Sequence, residues 1–121
     1  MPQNETNRNI IERLPARVYF VESEQDNTVH YALDVEIRQG YATWFDGTKE
    51  RIMRIGSIIE KKSDLFVFER DASEGGGQYR FVPMTLELYN SKVKQHLISP
   101  SEFQNEEEMF KAFEETKKSA W

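Results

Sequence analysis

The ten residues from Thr28 to Ile37 read TVHYALDVEI, and they constrain the fold more than any other stretch. Val29, Tyr31, Leu33, Val35 and Ile37 share one parity, while Thr28, His30, Ala32, Asp34 and Glu36 share the other. Side chains of a strand point alternately to its two faces, so this pattern lays an apolar stripe on a core and a polar stripe toward water. The expectation is an antiparallel β domain with one wet face.

Further strands follow from similar runs: Arg17 to Glu22, Tyr41 to Phe45, Arg51 to Lys61, Asp64 to Arg70 and Gln78 to Val82. Asp46-Gly47 predicts a two-residue hairpin turn, in which both central residues take positive φ. The run from Arg51 to Lys61 is apolar on both parities and carries Gly56 in its middle. A bulge or bend there would swap the inward face halfway along. Ile10, Ile11 and Leu14 make either one helical turn or an extended piece lying on the core. Leu86, Tyr89, Val93 and Leu97 have helical spacing, although LEL and KVKQHLI also fit short strands. Asn105 followed by Glu108 resembles a capping box, with acids at the start of the following helix and Lys117 and Lys118 at its end.

These elements add up to a mainly β, α+β chain. A small antiparallel barrel or orthogonal sandwich of six to seven strands is expected, closed by a C-terminal helix plugging one open end through Met109, Phe110 and Phe113. Residues 1–9 are expected to be a polar tail and residues 10–121 a single domain, since 121 residues suffice for one core. The order of elements resembles the pleckstrin homology superfold, in which seven strands precede a closing helix. Its phosphoinositide-binding members carry basic residues around the first hairpin, whereas Glu22 to Thr28 here reads ESEQDNT. The likeness therefore implies a fold and not a ligand.

Composition removes several functions. The chain has no cysteine, which excludes disulfides, zinc–thiolate sites and a cysteine nucleophile. No apolar run approaches the roughly 20 residues that cross a bilayer, and the first fifteen residues have neither the basic start nor the apolar centre of a secretory signal. A cytoplasmic location is expected. The net charge of −5 disfavours generic binding to nucleic acid, although Lys49, Arg51, Arg54, Lys61 and Lys62 leave the middle of the chain locally basic.

No residue pattern points to catalysis, a metal or a cofactor. His30 and Asp34 share a parity but lie about 13 Å apart along an extended strand, too far to share one ion or proton. His96 has no partner at motif spacing. Glu106, Glu107 and Glu108 are adjacent on a helix and fan around it. Asp71 to Gly76 (DASEGG) resembles the D-x-S-x-x-G pattern of PilZ domains, and Arg13 to Arg17 (RLPAR) resembles their R-x-x-x-R. That resemblance implies arginine forks and a turn of N–H groups around a cyclic dinucleotide. Here some fifty residues separate the two segments, which that family places much closer.

The most suggestive cluster is Tyr41, Trp44, Phe45 and Asp46, with Arg51 and Arg54 on the partner strand. Aromatic residues interleaved with arginine compose protein-binding hot spots and nucleic-acid stacking platforms. Trp44 and Phe45 are adjacent and must face opposite ways, so one of them is a candidate for exposure. The leading expectation is a non-enzymatic module that binds a protein partner through this hairpin or a sheet face, with a homodimer as one form. Nucleic-acid binding through the same residues and a small-ligand site at the barrel mouth are the alternatives. Met109, Phe110 and Phe113 serve either as helix packing or as an insert for a partner's groove.

Overall fold

The computed structural model describes residues 10–23, 26–93 and 103–120. Seven strands form one antiparallel sheet: β1 (Ile10–Arg13), β2 (Val18–Ser23), β3 (Asp26–Arg38), β4 (Tyr41–Phe45), β5 (Glu50–Lys62), β6 (Leu65–Arg70) and β7 (Gln78–Pro83). Their spatial order is β1-β3-β2-β7-β6-β5-β4, and β4 returns to pair with β3. Strands β2 to β7 thus close into a six-stranded barrel, with β1 added on β3. The expected small barrel followed by a C-terminal helix (Glu106–Ala120) is what the chain forms. Residues 10–13 take the extended form rather than a helical turn, because they pair with Glu36 to Arg38 of β3.

The apolar residues sort into two clusters on opposite faces of the same strands. Inside the barrel lie Tyr19, Val21, Ala32, Trp44, Met53, Phe66, Phe68 and Phe81. On the other face of β2, β3 and β4 lie Val18, Phe20, Tyr31, Leu33 and Phe45, covered by Met109 and Phe113 of the helix together with Met84 and Tyr89. The helix therefore covers the barrel wall from outside. The segment that was open between helix and strand is helical over Leu86–Leu88 and continues as a π turn over Tyr89–Val93. Leu97 and His96 lie outside the described residues.

Two sequence expectations change at the level of register. The alternation read across Thr28 to Ile37 is broken at Asp34, which sits at φ 54. Between the pairs Leu33–Phe45 and Glu36–Thr43, two residues of β3 oppose one of β4, a bulge. Asp tolerates the left-handed region better than most residues. Across the bulge the inward parity reverses. Tyr31 and Leu33 face the helix, whereas Val35 and Ile37 face the barrel interior. Ala32, expected in the polar stripe, is fully buried for the same reason. Val29 falls among residues whose side chains are not described.

The Asp46-Gly47 turn is also different. Gly47 has φ 102 but Asp46 is not among the positive-φ residues, so the two-residue turn is replaced by a longer loop closed by Asp46 N–H donating to the Lys49 carbonyl at 3.0 Å. The Asp46 carboxylate organises it, accepting from Thr48 N–H at 2.9 Å, Thr48 hydroxyl at 2.8 Å and Lys49 N–H at 3.0 Å. Burial works against that charged carboxyl, yet these bonds and Arg51 outweigh it and hold its pKa below the ordinary value. At Gly56 the expected bulge is present, with register shifting between Ile55 and Ser57. A side chain there would meet the Asp71 Cα at 3.2 Å. Beyond it the strand does not swap into the core: Ile58 and Ile59 are 46% and 47% exposed.

The helix start is as the sequence implies. Asn105 Oδ1 accepts from Glu108 N–H at 3.0 Å, and the Glu108 carboxylate accepts in return from Gln104 N–H at 3.0 Å.

Candidate functional site

Past the Asp34 bulge, the outer face of β3, β4 and β5 is not covered by the helix, and its residues form two cross-strand rows. Glu36, Thr43 and Ile52 are in register in one row; Arg38, Tyr41 and Arg54 are in register in the next. Alternation fixes their direction, because the intervening Ile37, Ala42 and Met53 belong to the barrel interior. The face forms a trough of about 550 Å³. Ile52 lies in it at 70% exposure, the most exposed large apolar side chain among the described residues. A second hollow of about 290 Å³ continues from it, between Tyr41, Ile52, Arg54 and Glu74.

The charges of this face are unevenly satisfied. Glu36 is buried and accepts from both Arg13 and Arg38, so two guanidinium groups share one carboxylate. Arg38 Nε is buried and has no acceptor among the described residues. Arg54 is exposed and makes no ion pair within 4.0 Å among the described residues. Glu74, beside it, accepts from the Arg54 backbone N–H at 3.2 Å and pairs with Arg70 at 3.6 Å. At the other end of the trough the balance is reversed. Asp34 and Glu50 share a single cation, Lys117, which pairs with Asp34, stands 3.9 Å from Glu50 and covers the Phe45 ring at 5.8 Å.

The aromatic and arginine cluster expected from sequence is divided by these faces. Tyr41 and Arg54 stand together on the trough. Trp44 is 3% exposed inside the barrel, edge-on to Phe81 at 5.0 Å between centroids. Phe45 is 1% exposed on the opposite face, under the helix. They do point opposite ways, but both sides of the strand are dry here, so neither is the exposed aromatic. Arg51 points to the barrel mouth and reaches Asp46 at 3.3 Å, beside a small cavity of about 30 Å³ that Trp44, His30 and Tyr79 also line. His30 and Asp34 fall on opposite faces, because Asp34 is itself a residue of the bulge.

The remaining candidates are engaged within the chain. Met109 and Phe113 are fully buried, and Phe110 is half-buried under Arg17, whose guanidinium carbon lies 4.9 Å from its ring centroid. Arg17 also grips Glu114 at 2.9 Å and Glu107 at 2.7 Å, which raises its pKa and lowers that of Glu107. Glu106 accepts from Leu86 N–H at 3.0 Å. Lys61 pairs with Glu12, and Lys62 with Glu60 at 3.2 Å, so the basic residues of the middle segment do not gather. The two PilZ-like segments line separate cavities, and Asp71 caps a 3-10 turn over Ala72–Glu74 by accepting from Ser73 N–H at 2.8 Å.

Sequence reasoning missed Ile52, Arg38 and Glu36. Ile52 was hidden because the run around it is apolar on both parities; its register opposite Thr43 is the signal that marks it as outward. Among the described residues no group of three or more His, Asp or Glu side chains is arranged to hold a metal ion. No helix among them is long and apolar enough to cross a membrane. Comparison with known protein families, with characterised proteins and with solved structures finds no match to this chain.

Proposed function

We propose that this chain is a non-enzymatic protein-binding module whose docking surface is the outer face of β3, β4 and β5. Ile52 carries the reading. An isoleucine left 70% exposed in the trough, beside Tyr41 and Arg54, gains roughly 1.5–3 kcal/mol when a partner covers it. Tyrosine and arginine around an apolar centre are the side chains that most often dominate protein interfaces. The reading includes a cytoplasmic location, in keeping with the cysteine-free chain. It moves the binding residues from the tip of the hairpin to Tyr41, Ile52 and Arg54. Nucleic-acid binding is less well supported, because Trp44 and Phe45 are both buried and Arg51 and Arg54 lie on different faces.

The test is affinity capture with immobilised protein, wild type against Ile52→Glu. Proteins retained by the wild type and lost with the variant, at an unchanged melting temperature, support this surface. An identical set of retained proteins sinks it.

A further inference from the structure

We infer that the partner seated on this face is an extended peptide carrying two bulky apolar side chains four residues apart and a lysine or arginine midway between them; this rests on the docking reading above. The site begins at one edge of β3. Because β4 takes the other edge, β1 and β2 follow each other along this one, with Arg13 opposite Glu36 and Val18 opposite Leu33. Four residues, Leu14 to Arg17, therefore stand where β3 offers only Asp34 and Val35, and the chain loops out. Its backbone is tied down: Leu14 N–H donates to the Val35 carbonyl at 2.9 Å and Ala16 N–H to the Tyr19 hydroxyl at 3.0 Å. Between this loop and the last turns of the helix lies a hollow of about 520 Å³, with Leu14, Pro15, Ala16 and Leu33 as its apolar lining.

The hollow and the trough are neighbours, since Arg13, Asp34 and Lys117 line both. From Leu33 to Ile52 is two strand spacings across the sheet and one row along it, about 12 Å. In an extended peptide residues i, i+2 and i+4 share a face, and i to i+4 spans about 13 Å. One apolar side chain then fills the hollow while the other covers Ile52 beside Tyr41. The side chain between them falls at Asp34 and Glu50. Both carboxylates are exposed and share Lys117, and no other cation of the described residues stands within 4.0 Å of either. A basic side chain completes that cluster, whereas an acidic one is repelled by it.

Size selects a peptide over a folded partner. Three strands and two rows make an open face of roughly 14 Å by 13 Å, far below the ~800 Å² that each folded partner commits to a stable interface. An extended chain reaches into both concavities, which a convex protein surface would bridge.

The test is selection of a random dodecapeptide library, displayed on phage, against the immobilised full chain. The enriched peptide is then synthesised and its binding measured by fluorescence anisotropy. Enrichment of two apolar residues four apart, with Lys or Arg midway, is the expected result. Ile52→Glu and Ala16→Trp, which fills the hollow, should each weaken binding about tenfold or more. Glu50→Gln should weaken it about two- to fivefold, as an exposed pair does. Each variant is checked for an unchanged melting temperature, and if Ala16→Trp melts lower, Lys118→Trp at the exposed rim of the hollow takes its place. No enrichment, a different spacing, or binding indifferent to the filled hollow overturns the peptide. If lysate capture still depends on Ile52 in that case, the docking face stands with a partner of another shape; if it does not, both readings fall.

Discussion

The outer wall of this barrel is one surface with two fates, and Asp34 stands at the border. Before the bulge the outward residues are Val18, Phe20, Tyr31, Leu33 and Phe45, all dry beneath the C-terminal helix. After it they are Glu36, Arg38, Tyr41, Thr43, Ile52 and Arg54, of which Ile52 and Arg54 are exposed, Arg38 and Tyr41 half-buried, and Glu36 and Thr43 buried at the floor of the trough. A covered wall needs shape and apolar area, so its side chains interlock: Tyr31 stands edge-on to Phe113 at 4.6 Å and donates its hydroxyl to Thr116 at 2.7 Å. An open wall carries charge, and Ile52 is the large apolar side chain left exposed among those charges.

Deleting the cover is the most severe way to break this comparison. Removing residues 104–121 takes away Met109 and Phe113 and exposes at least Phe20, Tyr31, Leu33 and Phe45 together. Each large side chain contributes roughly 1.5–3 kcal/mol by burial, against about 5–15 kcal/mol for a whole domain. The truncated chain should aggregate or lose its cooperative melt. A truncation that melts at the same temperature would show that the covered wall is dry for some other reason. Next, Phe45→Ala should cost about 3–5 kcal/mol in denaturant unfolding, as a fully buried aromatic does.

A smaller effect is expected at the loop beneath the helix edge. A Cβ on Gly47 would lie 2.6 Å from the Tyr31 hydroxyl oxygen, and its φ of 102 is unfavourable for any other residue. Gly47→Ala should therefore lose roughly 1–3 kcal/mol, much of it by disturbing the bond from Tyr31 to Thr116. Acid titration probes the same loop. Asp46, Asp71 and Glu107 all have pKa values held below ordinary carboxylates in the folded state. Between the folded and unfolded values the unfolded chain binds more protons, so stability falls as pH drops. The contribution is complete above about pH 4–4.5, where the unfolded groups are ionised, and is lost through the lower folded values. Melting temperatures from pH 6 to pH 2.5 should show this decline, and Asp46→Asn should flatten it. The smallest effect belongs to the open wall: Ile52→Ala should change stability by less than about 0.5 kcal/mol while weakening association. A large stability loss there would mean that Ile52 is part of the core.

How much of this was legible follows the same border. Strand positions were readable because alternation is a local property, and so was the helix, whose cap residues Asn105 and Glu108 sit at fixed spacing. The bend at Gly56 was readable because glycine is rare in strand interiors. The bulge at Asp34 was not, since one aspartate in an otherwise regular run carries no mark of positive φ. From that miss came the others. Ala32 was expected outside because a second apolar layer was not foreseen, and either Trp44 or Phe45 was expected to be free because one side of β4 was taken to be wet. Of the aromatic and arginine cluster, Tyr41 and Arg54 stand together, Arg51 is on the other face, and Ile52 was masked by its apolar neighbours.

The bulge has a consequence for how this sequence tolerates length changes. Side-chain direction in a strand has a period of two, so omitting one residue inverts everything that follows until the next irregularity. A deletion of Asp34 takes away the extra residue that the bulge absorbs: Leu33 would still oppose Phe45, Glu36 would still oppose Thr43, and Val35 alone would face Trp44. Val35 and Ile37 would stay inside and Glu36 and Arg38 would stay on the trough, so this is a place in β3 where a residue can be lost without turning its successors over. A deletion in a regular stretch has no such slack and acts like a frameshift written in geometry.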